Sequence, residues 1–380
     1  MRLRYHNYER EVLREFGSRI LQTFDVPKAD AELAVRVLDC ADSRGHPSHG
    51  CQRLDAYYGK LKAGEINPRP NPRFVSGGPE RGLAGGTFDG DNGLGLVVAP
   101  KANEACLEMA DRFGIAGVTV RNSNHFGTAA FYPLMALKRG MIGQAMTTST
   151  PLVAPFGGNQ KFFGTDAFAT GFPGKTERGL MSDMATSVAA VGKMEICIRA
   201  GLPIPDCWAF DAEGNPTTDP AAGRQGALRP AGADRAHAGH KGTCLATVVQ
   251  GLCGMLAGAA WGPFTPRFTM AYESFDPPPG VIGVGTGHYL QAWKVSAYRD
   301  PDEFGEQVDQ FIDLYMKVRP SIAADEELAY PGLVEWRSEE RYAVHIPVMQ
   351  QVVDSFRQMS KETGIPLPDS LEVYEETVKQ

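Results

Sequence analysis

The stretch "DSRGHPSHGCQRLDAYY", residues 42 to 58, follows two apolar segments and concentrates two histidines, two arginines and two adjacent tyrosines. Apolar residues recur at helical spacing over 8–24 and 28–41, which predicts two packed helices ahead of it. Ser48 is well placed to N-cap a third helix that runs from His49 to about Lys62. The sequence therefore predicts a polar helix start between packed helices.

On that helix His49, Arg53 and Tyr57 would share one face, because they are spaced i, i+4 and i+8. Histidine exchanges a proton near neutral pH, and arginine binds a carboxylate through two parallel hydrogen bonds. The trio suits a small anionic carbonyl compound, although spacing alone leaves a solvated helix face open. His46 and His49 lack a carboxylate at ligand spacing, and Pro47 separates them, so we predict no metal site.

The bulk composition excludes several classes of protein. A chain of 380 residues can bury a large core and contain more than one lobe. Its composition, 43% hydrophobic and 22% charged, is typical of a globular protein. A net charge of -7 without a basic cluster disfavours a nucleic-acid partner. No apolar run approaches the ~20 residues that span a bilayer, so we expect no membrane partner.

The compartment is indicated by the N-terminus and the cysteines. The first residues lack the apolar stretch of a signal peptide. Seven cysteines are scattered without CxxC pairs, and we interpret them as reduced residues of a cytoplasmic protein. Most of them lie in predicted helices or buried segments: Cys40, Cys106, Cys197, Cys244 and Cys253.

Beyond residue 76 helices and strands alternate, which predicts a mixed α/β fold. We predict helices over 96–113, 128–139, after Asp183, over 243–261 and 302–318, and over 346–363. Strands are predicted at 114–123, 141–149 and 288–300. The expected organisation is a helical region at 1–75, packed with C-terminal helices at 320–380, and a central α/β region at 76–319.

The usual dinucleotide fingerprint, GxGxxG between a strand and a helix, is absent. The stretch "GDNGLG" at 90–95 has the wrong spacing and no apolar strand before it, and "GVGTG" at 283–287 leads into a strand. We interpret these glycines as turns. If the protein binds a nucleotide, it does so in another way.

Three further stretches carry candidate chemistry. His125 lies at a strand-to-helix turn, where backbone N–H groups favour an anion. Asp183 either caps a following helix or holds a histidine in one tautomer. His240 and Lys241 open a strongly apolar, buried helix, which is a position that binds phosphate.

Taken together, six stretches resemble the malate/L-lactate dehydrogenase family of the non-Rossmann type, in order and spacing over residues 10–365. They are "DSRGHPSHGCQRL", "NSNHFGTAAFY", "PLVAPFGGNQKFFGTDAFA", "DMATSVAAVGK", "DAEGNPTTDP" and "GHKG". The resemblance implies a homodimer with its own α/β fold that binds NAD or NADP. It implies hydride transfer to or from C2 of a small 2-oxo or 2-hydroxy acid. Reduction of a cyclic imino acid and non-catalytic binding of a small acid or nucleotide are the alternatives.

The resemblance also implies roles at the substrate. Ser48 and His49 would belong to the catalytic group, with His49 as the proton donor. Arg53 would hold the substrate carboxylate, and Asp183 would complete the relay. We assign two more residues to substrate binding, Tyr57 and Thr165.

On the cofactor side, the resemblance implies that His125, Phe126 and Gly127 line the nucleotide, with His125 as a second candidate for acid–base chemistry. His240 and Lys241 would contact the phosphates. We also assign Ser182 to the cofactor.

The sequence departs from the family pattern at three places. Asp166 stands where relatives usually have Asn, Phe156 replaces a common Trp, and "YPGLVEWRSEERY" at 330–342 lacks the acidic residue usual after Pro-Gly. These places are expected near the pockets, so the resemblance does not define the substrate side chain or the choice between NAD and NADP.

Overall fold

The computed structural model describes residues 2–176, 179–269, 275–321 and 327–377. The strands in this part of the chain are β1 Arg2–Glu9, β2 Arg73–Gly77, β3 Gly85–Asp89, β4 Ile115–Ser123, β5 Met141–Thr147, β6 Phe168–Phe172, β7 Leu180–Met184, β8 Ala209–Phe210, β9 Pro216–Thr217, β10 Ala227–Leu228, β11 Thr286–Lys294, β12 His345–Met349 and β13 Glu372–Thr377.

The α-helices in the same residues are α1 Arg10–Gln22, α2 Lys28–Ser43, α3 Leu54–Lys62, α4 Gly95–Phe113, α5 Phe131–Leu137, α6 Val191–Ala200, α7 Pro220–Gln225, α8 His240–Val249, α9 Pro301–Tyr315, α10 Leu333–Arg341 and α11 Gln350–Thr363. Of these described helices, none combines the length and apolarity needed to cross a membrane.

A seven-stranded sheet forms the centre, in the order β2-β3-β4-β11-β5-β6-β7. Its neighbouring strands are antiparallel, except for the parallel pair β3 and β4. A doubly wound dinucleotide fold requires a mostly parallel sheet. The mixed α/β class is therefore confirmed, and the sheet explains why the usual fingerprint is absent.

Strand β3, which precedes the turn "GDNGLG", buries only Phe88 and is not an apolar strand, as expected, and the turn connects β3 to α4. Its amides are nevertheless engaged, because Gly90 and Asn92 donate to backbone carbonyls of β4 at 2.9 and 2.8 Å. A Cβ on Gly95 would lie 2.1 Å from the Asn124 carbonyl oxygen. These glycines allow α4 to start directly beneath the turn that carries His125.

The N- and C-terminal segments meet in a second sheet, in which β1 pairs with both β12 and β13. The sequence prediction missed β1 and read 346–363 as one helix. Alternate side chains, His6 and Tyr8 on β1 and Ile346 and Val348 on β12, are buried. This period-two pattern is too short to stand out before the partner strand is known.

Helices α1, α2, α3 and α11 pack around one apolar core, in which the rings of Phe16 and Phe356 lie 5.5 Å apart. Helices α4 and α5 cover the central sheet and form a second core with β4, β5 and β11. The 3.6-residue periodicity therefore located α1, α2 and α4 to within a few residues. The stretch at 42–58 contributes Leu54 and Tyr57 to the first of these cores.

The apolar segment expected as one buried helix over 243–261 is different in the structure. Helix α8 is followed by a π-helix at Gln250–Leu256. One side of this segment is exposed, including Val248 (51%) and Met255 (61%). Cys244 is exposed as well, which corrects its assignment to the core, and all seven cysteines are unpaired.

Asp166 connects the loop after β5 to the π-helix. Its carboxylate accepts hydrogen bonds from the Ser149 amide (3.1 Å) and from Gln250 Nε2 (2.7 Å). The side-chain oxygen Oε1 of Gln250 in turn accepts a hydrogen bond from the Gly262 amide. Asp166 is fully buried, and this burial raises the pKa of its carboxyl to about 7.

We expect Asp166→Asn to stabilise the fold increasingly as the pH rises from 4 to 7. The pKa of Asp166 is higher in the folded than in the unfolded state, so the protonated carboxyl contributes stability. This contribution is complete below the unfolded-state pKa. It is lost as the pH rises through the folded-state pKa. Asparagine does not titrate. The gain in unfolding free energy over wild type should therefore grow by about 2–4 kcal/mol and level off above pH 7.

Urea unfolding of both proteins at several pH values measures this difference. Asp206→Asn, at an exposed position, is the matched control and should show no such growth. A constant difference between Asp166→Asn and wild type across this pH range would contradict the assignment.

Candidate active site

The stretch at 42–58 does not form one continuous helix. Two 3-10 turns, Pro47–His49 and Cys51–Arg53, precede α3, and Gly50 separates them. The break has a tertiary cause, because the Asp42 carboxylate accepts the Cys51 amide at 2.7 Å. A Cβ on Gly50 would lie 1.8 Å from that carboxylate. Ser48 makes no side-chain cap, so the N-cap prediction was wrong.

Ser48 instead holds two candidate residues together. Its hydroxyl lies 2.9 Å from His49 Nδ1, and its carbonyl oxygen accepts a hydrogen bond from Arg53 Nε at 2.5 Å. The Nη groups of Arg53 have no hydrogen-bond or ion-pair partner in the described part of the chain. A planar guanidinium with two open N–H groups suits a carboxylate.

His125 joins this group from the turn after β4. The Tyr57 hydroxyl lies 2.6 Å from His125 Nδ1, and the Gly127 amide donates to the same nitrogen at 3.3 Å. The imidazole rings of His125 and His49 are 5.8 Å apart, centroid to centroid. Because Nδ1 accepts, the neutral ring of His125 carries its proton on Nε2.

Both imidazoles are neutral near neutral pH. Packing away from water, with smaller contributions from Arg53 and His46, lowers the pKa of His49 to about 4. Desolvation likewise lowers the pKa of His125 well below its usual range, with the His49 charge adding to it. Burial raises the pKa of the Tyr57 hydroxyl, which therefore stays a donor.

Phe126 does not line a ligand site with its side chain, which corrects the prediction. Its ring is 1% exposed and stacks between Tyr132 (4.6 Å) and His288 (4.7 Å). Only its backbone borders the cluster. Gly127 is required by the backbone, since its φ of +81° and a Val37 methyl 2.6 Å from a built Cβ demand glycine, and its place at the cofactor stays a prediction.

Asp183 lies on the edge strand β7, and not at a helix start as predicted, since α6 begins only at Val191. Its carboxylate accepts hydrogen bonds from the Ala130 amide (3.2 Å) and the Thr128 hydroxyl (3.4 Å). Among the described residues it bonds to neither His49 nor His125. Ser182 precedes it on β7 and pairs with β6.

The remaining predicted residues lie farther out. Thr165 is 3.3 Å from Ser149, hydroxyl to hydroxyl, and Ser149 lines a small cavity beside His125. His240 and Lys241 are exposed on the first turn of α8. In the described structure they make no hydrogen bond, ion pair or ring contact with the histidine cluster.

Sequence reasoning missed several contacts of the cluster. His46 Nε2 lies 3.3 Å from Glu335, and the buried Arg44 pairs with Glu339 at 2.8 Å, so α10 packs on the catalytic stretch. Phe268 stacks on His125. Nothing in the local sequence of Phe268 indicated this. The described residues contain no group of three or more side chains able to hold a metal ion.

This chain is similar in sequence to the proteins of one known family. The sequence profile of the malate/L-lactate dehydrogenase family matches residues 8–357. Malate dehydrogenase of Pyrococcus horikoshii is 33% identical over 363 residues, 95% of this chain and 96% of the relative. L-sulfolactate dehydrogenase of Methanocaldococcus jannaschii is 33% identical over 353 residues, 93% of this chain and 96% of the relative.

Solved structures agree with the sequence matches. Malate dehydrogenase from Entamoeba histolytica superposes with a TM-score of 0.85 at 26% identity, covering 96% of this chain and 99% of that one. The matches extend over nearly the whole chain and include both histidine turns. This chain belongs to the malate/L-lactate dehydrogenase family.

Proposed function

We propose that the protein is an NAD(P)-dependent dehydrogenase that moves a hydride between nicotinamide and C2 of a small 2-oxo or 2-hydroxy acid. The observation that carries the proposal is the junction at Ser48, which joins an arginine with open N–H groups to a neutral histidine. Malate dehydrogenase and L-sulfolactate dehydrogenase, to which this chain is 33% identical over nearly its whole length, favour this reaction over imine reduction.

Arg53 binds the substrate carboxylate in this proposal. Its Nε is fixed on the Ser48 carbonyl, so the guanidinium plane is oriented before substrate arrives. Two parallel hydrogen bonds from such a plane fix the direction of the acid as well as its position. C2 and its oxygen are thereby placed toward the two imidazoles.

His49 exchanges the proton with the substrate oxygen. The Ser48 hydroxyl occupies Nδ1, which leaves Nε2 as the atom that gives a proton to the nascent alkoxide, or removes it in oxidation. An incoming carboxylate neutralises the positive charge of Arg53. Since that charge is one cause of the low pKa of His49, substrate binding raises the proton affinity of the imidazole.

His125 serves as a fixed neutral donor. Tyr57 and the Gly127 amide engage Nδ1, so Nε2–H is available to the substrate oxygen. Asp183 positions this histidine indirectly, because its carboxylate binds the Ala130 amide and the Thr128 hydroxyl on the turn that follows. Such preorganised donors usually contribute the largest catalytic effect.

The nucleotide binds near His240 and Lys241 at the start of α8, and along Ser182 and Gly127. A lysine at a helix N-terminus is unfavourable unless an anion neutralises it, and both side chains are exposed there. When bound, the nicotinamide would supply or accept the hydride. Two proteins similar to this chain, a ureidoglycolate dehydrogenase and a (2R)-3-sulfolactate dehydrogenase, carry NAD(+) and NADP(+) in their names, respectively.

We further infer a homodimer in the cytoplasm. The α8 and π-helix segment exposes apolar side chains on one side, and exposed patches of this kind mark interfaces: Leu245, Val248, Met255 and Leu256. None of the seven cysteines, all of which lie in described segments, forms a disulfide, as is usual for a cytoplasmic protein.

The pH dependence of kcat/KM tests the role of His49. Oxidation of malate or lactate needs the neutral imidazole, so its acid limb should lie near pH 4 rather than 6.5. Reduction of oxaloacetate or pyruvate needs the imidazolium, so its kcat/KM should fall about tenfold per pH unit between 5 and 8. Initial rates with the oxidised nucleotides give the oxidation profile, and initial rates with the reduced nucleotides give the reduction profile.

His49→Ala should lower kcat by about 10²–10⁴ and leave nucleotide affinity nearly unchanged. His237→Ala, whose side chain is 70% exposed, is the control. An acid limb at pH 6.5 or higher in the kcat/KM profile for oxidation, or a wild-type kcat in His49→Ala, would assign the proton transfer to another group.

Arg53→Lys keeps the charge but loses the planar fork, so KM for the acid should rise roughly 10- to 100-fold while the Kd of the nucleotide is unchanged. Steady-state kinetics and calorimetric titration measure the two quantities. Arg36→Lys, at an exposed position on α2, should change neither. An unchanged KM in Arg53→Lys would refute the bidentate contact.

Val248→Asp should convert the dimer into a monomer, because a carboxylate would be buried in an apolar interface. Light scattering after size-exclusion chromatography reports the mass. Val344→Asp, at a 59% exposed valine elsewhere, should leave the dimer intact. A dimeric Val248→Asp protein would place the interface on another face.

A further inference from the structure

Phe268 contacts the histidine cluster and lies outside the six stretches that carry the family resemblance. Its ring lies parallel to the imidazole of His125, with centroids 3.8 Å apart and an interplanar angle of 17°. The Tyr57 ring approaches it edge-on at 5.2 Å, and the Arg53 guanidinium carbon lies 5.9 Å from its centroid. Phe268 therefore touches the substrate side of the cluster.

The backbone fixes this ring in place. The Phe268 amide donates to the Thr150 hydroxyl at 2.9 Å, and Thr150 is itself 6% exposed. Three residues earlier, Thr265 is 2% exposed, so the segment is anchored on both sides of Arg267. The ring is a wall of the site.

Little space remains beside this wall. The cavity between Phe268, His125, Ser149 and Lys60 has a volume of about 10 Å³. A cavity of that size holds a single water at most. Neither Arg53 nor His49 lines this cavity, so the Phe268 ring itself, stacked on His125, limits the space for a substituent beside the cluster.

The cations at this cavity are already neutralised. Lys60 Nζ lies 3.1 Å from Glu65, and Arg267 lies 3.5 Å from the other oxygen of the same carboxylate. A second acidic group of a substrate would meet an apolar ring and cations that already have an anion. Burying an anion under those conditions is unfavourable.

We propose that Phe268 is a specificity-determining residue that selects acids whose substituent at C2 is small and uncharged. The inference rests on the proposed function. A 2-oxo acid has three groups on C2. With the carboxylate on Arg53 and the oxygen on the histidines, the third group lies against the ring that contacts both. The malate and sulfolactate named in the related enzymes carry a second acidic group at that end.

The test compares kcat/KM of wild type and Phe268→Ala for pyruvate, 2-oxobutyrate, 2-oxohexanoate and oxaloacetate at saturating reduced nucleotide. Wild type should prefer pyruvate and 2-oxobutyrate over the other two acids by about tenfold or more. In Phe268→Ala the ratio of 2-oxohexanoate to pyruvate should rise by about tenfold, because the wall is removed. Phe311→Ala, at an exposed phenylalanine of α9, should keep the wild-type order.

Phe268→Leu provides a second variant with a smaller wall that preserves packing, and it should shift the same ratio in the same direction. An active wild type that prefers oxaloacetate, or unchanged ratios in both variants, would overturn this inference alone. A wild type that reduces none of the four acids would overturn the proposed function and this inference with it.

Discussion

Ser48 makes two hydrogen bonds on which the arrangement of the active site depends, one from its hydroxyl to His49 and one from its carbonyl to Arg53. They hold the imidazole that we propose to exchange the proton and the guanidinium that we propose to bind the carboxylate within one turn of chain. The turn itself exists because Asp42 accepts the Cys51 amide and Gly50 leaves room for that carboxylate. The geometry of this turn therefore depends on a buried acid, Asp42.

The second half of the site comes from the central sheet. Strand β4 ends just before His125, and Gly127 together with Gly95 allows its turn to lie against α2 and α4. Tyr57 from α3 then reaches the His125 ring. Packing of this kind limits the contact of both imidazoles with water, which keeps them neutral, and fixed partners orient them. A histidine beside an arginine would otherwise be surrounded by solvent and less sharply oriented.

Much of this was predictable from sequence, and the reasons for success and failure are physical. Long amphipathic periods located α1, α2 and α4, and the polar residues around His49 and His125 marked the site. The helix break at Gly50 was not predictable, because a contact from Asp42 eight residues away causes it. Phe126 could not be assigned to the core without knowing that β11 places His288 against its ring. Asp183 could not be assigned to a strand without knowing that β7 pairs with β6. Phe268 carried no local signal, since only the tertiary fold brings it to His125.

The most direct test of the central claim is a crystal structure of the protein with reduced nucleotide and oxamate, an unreactive analogue of pyruvate. We predict that the oxamate carboxylate binds both Nη groups of Arg53 at hydrogen-bond distance, about 2.7–3.0 Å. Its C2 oxygen should lie at similar distance from His49, with the Ser48 hydroxyl still on Nδ1. Oxamate held by Lys60 or Lys241, with Arg53 and His49 out of reach, would contradict the account.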